Sequence, residues 1–110
     1  MSWTLTQSPR CMRGLHFFYR LDPPRPTSDL VEALSPLWPQ ACRVDEPWPG
    51  GAVVRLTVPH VLELRIGERP GEVSLYHRSR TSLELRAQIH QRVEQALDQL
   101  EAPDESVPRL

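Results

Sequence analysis

A chain of 110 residues can build one hydrophobic core and no second, and on folding should bury roughly two-thirds of the surface its unfolded form exposes. Hydrophobic residues make up 39% and charged residues 25%, the balance of a folded domain, which excludes wholesale disorder. With 14 acidic residues against 13 basic ones the formal net charge is −1, which argues against non-specific nucleic-acid binding.

All the basic residues are arginine, and the chain contains neither lysine nor asparagine. Both missing residues use A-rich codons, so base composition explains their joint absence more simply than selection for guanidinium chemistry. The 12 prolines fix φ and remove backbone donors, which predicts short elements separated by stiff connections. The segment 1–10 has no basic stretch followed by an apolar run, and no window reaches transmembrane length, so a soluble cytoplasmic protein without membrane association is expected. Cys11 and Cys42 lie in no CxxC or Cys/His spacing and are expected as free thiols.

In chain order, residues 1–13 are ambiguous, although Trp3 and Leu5 alternate with Thr4 and Thr6 as in an edge strand. Residues 14–21 form the first clear strand: Leu15, Phe17, Tyr19 and Leu21 take one side of a period-two repeat, and His16, Phe18 and Arg20 the other. Asp22-Pro23-Pro24-Arg25-Pro26 breaks regular structure, and Thr27, Ser28 and Asp29 are successive N-cap candidates. Leu30, Ala33, Leu34 and Leu37 then recur at helical spacing, with Pro36 interrupting the last turn near Ser35. A short strand over 41–46 is followed by a turn at Pro47-Trp48-Pro49-Gly50-Gly51.

Three extended segments come next. Over 52–58, Ala52, Val54, Leu56 and Val58 alternate with Val53, Arg55 and Thr57; over 61–66, Leu62, Leu64 and Ile66 alternate with Glu63 and Arg65. Pro59-His60 is not a two-residue hairpin sequence, which predicts a bend or a longer turn between these strands. Arg69-Pro70-Gly71-Glu72 has proline and glycine at the central positions of a type II turn leading into a strand over 73–77. Thr81 and Glu84 have capping-box spacing, and Leu85, Ile89, Val93, Ala96, Leu97 and Leu100 form the apolar stripe of a long closing helix. Residues 103–110 are expected to be a mobile tail.

The expected fold is α+β: a two-layer sandwich with a mainly antiparallel sheet, in the order β-α-(β)-β-β-β-α, and both helices on one face. Residues 1–102 form a single domain in this reading.

Two surfaces could carry function. The first is the sheet face left open by the helices, with Val53, Arg55, Arg65 and Tyr76 as candidate interface residues and Trp38 and Trp48 as possible anchors in proline-rich connections. Its plain counterpart is a wet sheet face with cross-strand charge pairs and tryptophans covering a core edge. The second is His77-Arg78-Ser79-Arg80-Thr81, where His77, Arg78 and Arg80 lead into the last helix and could bind an anion. Its counterpart is a solvated basic connection.

The helix-strands-helix order is similar to that of double-stranded-RNA-binding domains, which implies RNA-phosphate binding at the basic run before the last helix; the agreement extends only to topology and that run. His16, His60, His77 and His90 are widely spaced and make no HxH, HxxxH or HExxH pattern, and no catalytic, metal or cofactor set is assigned. The functional expectation is therefore a small protein-interaction module, an adaptor, inhibitor or assembly partner, with a protein partner or self-association. Anion or RNA-phosphate binding is the alternative.

Overall fold

The computed structural model describes residues 2–8, 15–49 and 51–101. Its strands are β1 (Ser2–Gln7), β2 (His16–Asp22), β3 (Cys42–Trp48), β4 (Gly51–Val58), β5 (Leu62–Ile66) and β6 (Glu72–His77). Helix α1 (Thr27–Leu34) runs into a 3₁₀ turn at Ser35–Leu37, and α2 (Leu83–Glu101) closes the order. The strands form one antiparallel sheet in the order β1-β2-β6-β5-β4-β3. The connection through α1 crosses the sheet from β2 to the far edge, and the β3–β6 meander walks back to meet β2.

One face of this sheet is apolar because the alternation read from the sequence holds. Tyr19, Leu21, Val73, Leu75, Leu64, Ile66, Val54 and Leu56 lie under Leu30, Val31 and Leu34 of α1 and Ile89, Val93, Ala96 and Leu97 of α2. Both helices therefore cover the same face. Each fully buried leucine here is worth about 1.5–3 kcal/mol of transfer free energy.

Local chemistry explains most boundaries. Glu72 N–H bonds Arg69 O at 3.1 Å with Gly71 at φ +69°, as the predicted type II turn requires. Gly71 has a second reason to be glycine: a Cβ there would sit 2.7 Å from Pro24 Cα and 3.0 Å from Leu21 O. Between β4 and β5 the chain makes a turn in which Val61 N–H bonds Val58 O at 3.0 Å and His60 takes φ +66°. Proline followed by a positive-φ residue again fits a type II turn, so the hairpin needs three linking residues, not two.

Several expectations need correction. None of Thr27, Ser28 and Asp29 caps α1; the helix starts at Thr27, with Pro26 in the N-cap position and no side-chain cap. Thr81 is not the cap of α2, because its hydroxyl is donated to Val61 O at 2.9 Å. Ser82 takes that role, its Oγ accepting from Leu85 N–H at 3.1 Å, and Leu85 itself is exposed. The turn expected at Pro47–Gly51 is shorter, since β3 extends to Trp48, which pairs with Gly51. Residues 9–14, Gly50 and the expected mobile tail at 103–110 lie outside the described residues. No helix among the described residues is long and apolar enough to cross a membrane.

Candidate interaction face

The sheet face opposite the helices carries the alternate residues of every strand. At its centre His16 and Tyr76 are register partners on β2 and β6. The His16 ring lies 5.2 Å from that of Tyr76 and 4.5 Å from that of Phe18, while His16 Nε2 and Ser74 Oγ are hydrogen-bonded at 2.5 Å. Burial, the largest influence, holds the His16 pKa below its ordinary value, so the ring is a neutral aromatic at neutral pH.

Around this cluster the arginines meet carboxylates. Arg20 pairs with Glu72 at 3.1 Å, Arg55 with Glu46 at 3.1 Å, and Arg65 with Glu63 at 2.8 Å. Arg55 and Arg65 stand directly opposite each other in the β4–β5 ladder, a like-charge pairing that costs stability unless relieved. Each turns away to a different carboxylate. The groove over β1 and β2 holds about 740 Å³ and is lined by residues including Thr4, Thr6, Phe18, Arg20, Arg65 and Arg69.

The sequence-derived candidates divide accordingly. Arg55, Arg65 and Tyr76 share the open face, with Tyr76 38% exposed. Val53 also points that way but is only 3% exposed, so its neighbours have already covered it. Trp38 belongs to the core at 6% exposure and offers no anchor. Trp48 lies on β3 by its backbone, and its side chain is outside the described part. Cys42 is a free, exposed thiol, and Cys11 lies outside the described residues. His16 and Phe18 fall on the open face by the alternation of β2, yet their anchoring position depends on β2 pairing with β6, five elements later.

His77 is separated from Arg78 and Arg80. It is fully buried on the helix side, and therefore cannot meet a surface anion. Instead it ends a polar chain under α2. Tyr19 Oη donates to Glu94 Oε2 at 2.8 Å and is also hydrogen-bonded to His90 Nδ1; His90 Nε2 and His77 Nε2 are 2.8 Å apart. With Glu94 ionised and both imidazoles neutral, only one proton arrangement satisfies all three contacts: Tyr19 donates to the carboxylate, His90 Nδ1–H to the phenol oxygen, and His77 Nε2–H to His90 Nε2. His77 Nδ1 is then a bare lone pair, and it has no hydrogen-bond partner among the described residues.

The surroundings of both rings favour the neutral form. Burial, followed by the nearby His90 and Arg86, lowers the His77 pKa to about 4, and burial likewise lowers that of His90. Burial and the Glu94 carboxylate raise the Tyr19 pKa. No cluster of three or more His, Cys, Asp or Glu among the described residues could hold a metal ion. Comparison of the chain with family models, curated proteins and solved structures found no match.

Proposed function

We propose that this chain is a small protein-interaction module that binds a polypeptide partner through the open sheet face. His16, Phe18 and Tyr76 supply the apolar centre, and Arg20, Arg55 and Arg65 with their carboxylates supply a polar surround that sets orientation. The observation that carries this reading is the clustering of three rings on a sheet face that no helix among the described residues covers. Aromatic and arginine side chains are enriched in protein interfaces, where buried rings contribute most of the affinity and rim charges govern specificity and on-rate. A second copy of the chain would be one such partner.

The test is affinity capture from the native cell, with and without nuclease, combined with light scattering of the purified protein. A defined protein partner or homodimer should survive nuclease and be lost in the double variant Phe18→Ala/Tyr76→Ala, whose urea midpoint should stay close to the parent's. A strictly monomeric protein that retains no partner, or one whose partner is indifferent to both substitutions, overturns the proposal.

A further inference from the structure

The β4–β5 turn and the β6–α2 connection lie side by side at one end of the sheet, tied together by a single carbonyl. Val61 O accepts from Arg78 N–H at 3.0 Å and from the Thr81 hydroxyl at 2.9 Å. Thr81 N–H returns to Arg78 O at 3.0 Å, and the Arg86 guanidinium donates to Ser79 O at 3.3 Å. Thr81 is buried, which shields its own bond to Val61 O from water. The two turns are thereby held in one relative position before any ligand arrives.

Between them is a cleft of about 610 Å³ lined by Pro59, His60, Arg78, Ser79 and Arg80. No carboxylate among the described residues lines it. Arg78 is 3.7 Å from Glu63, but that carboxylate makes its short contact, 2.8 Å, with Arg65. Neither His60 nor Arg80 has a hydrogen-bond or ion-pair partner among the described residues. Elsewhere Arg20, Arg43, Arg55 and Arg65 each lie within 3.1 Å of a carboxylate. In a chain with more acidic than basic residues, two arginines and an imidazole thus converge on one cleft without a carboxylate in its lining.

We propose that this cleft binds a single phosphate group, with Arg78 and Arg80 as charge-assisted donors and the His60 imidazole and Ser79 hydroxyl completing the set. The imidazole comes from the β4–β5 turn and not from His77, which is buried between the sheet and α2. A single phosphate fits better than a polyanionic backbone, because the basic residues form one short cleft in a chain of net negative charge and not a stripe along it. The cleft shares no lining residue with the groove on the open face.

The experiment is a heteronuclear NMR titration of the whole chain with inorganic phosphate, with O-phosphoserine and with a short RNA duplex. Saturable shifts at the amides of His60, Ser79 and Arg80 are expected with both phosphate probes. Affinity should fall about thirtyfold or more in Arg78→Gln/Arg80→Gln, two lost charge-assisted contacts at about 1 kcal/mol or more each. It should be unchanged in Arg69→Gln, and the urea midpoints of both variants should match the parent's. Non-saturating shifts, or equal affinity in the double variant, overturn the site. Tighter RNA binding with shifts spread well beyond the cleft overturns the single-phosphate assignment.

Discussion

His77 and His90 face each other Nε2 to Nε2 at 2.8 Å, one on the last strand and the other on the last helix. His90 Nε2 is the acceptor in this contact, so a proton there would set two N–H groups against each other, while a proton on His77 Nδ1 would place a charge in the core on a nitrogen without a hydrogen-bond partner among the described residues.

This predicts acid sensitivity with a defined sign. In the unfolded chain histidine titrates near the ordinary value of 6.5, whereas folded His77 resists protonation down to about 4. Between those values the unfolded state binds more protons, so the stability present above about pH 6.5 is lost as the pH falls. At about 1.4 kcal/mol per pKa unit, His77 alone should remove about 3 kcal/mol across the window. Urea midpoints measured at about pH 7.5 and about pH 4.5 test this against the ordinary histidine titration. The drop should be clearly smaller in His77→Gln, and an equal drop in the variant would refute the assignment.

Tyr19→Phe keeps the ring but removes the oxygen that links β2 to α2. The Glu94 carboxylate loses a donor and His90 Nδ1–H loses its acceptor. The expected loss is about 1–3 kcal/mol by chemical denaturation, the range for stranding buried polar partners. Glu94→Gln should cost less, because its amide oxygen can still accept from Tyr19.

Gly71→Ala tests the β5–β6 turn. The position combines φ +69° with a Cβ path blocked by the Pro24 and Leu21 backbone, and Leu21 N–H is itself bonded to Gly71 O at 2.8 Å. Relief would require moving β2 away from the turn. A loss of more than about 1 kcal/mol is expected in thermal unfolding, the lower bound set by backbone strain alone.

Trp3→Phe separates two contributions at the sheet edge. The ring packs edge-on against Tyr19 at 5.5 Å, and Nε1–H donates to Asp98 Oδ1 at 2.7 Å, joining β1 to α2. Phenylalanine keeps much of the first contact and loses the second. A cost of about 0.5–1.5 kcal/mol is expected. Amide exchange should accelerate in β1, which has a partner strand on one side, and stay unchanged in β5 and β6 at the centre of the sheet.

The fold was largely legible because burial on one face imposes a period of two, and Val54, Leu56, Leu62, Leu64 and Ile66 follow it without exception. The turn at Arg69–Glu72 was legible for a stereochemical reason, since proline and glycine favour that backbone wherever it occurs. The ends of α1 and α2 were less so. Ser82 and Thr81 are equally good caps by composition, and the choice was made by Val61 O, which engages Thr81 from the β4–β5 turn. Likewise Trp38 had the composition of an exposed anchor, and only the packing against the core buried it.

The amino-acid sequence by itself determined which residues share a face, which helix is long and where the chain must turn, because these follow from side-chain periodicity and local backbone preference. The tertiary structure alone decided what those faces bring together. His77 meets His90 because β6 runs beneath α2, and His60 joins Arg78 and Arg80 because the Val61 carbonyl binds both turns. His16 reaches Tyr76 because the crossover through α1 returns the meander to β2. Such meetings depend on contacts between residues far apart in the chain, and local spacing carries no record of them.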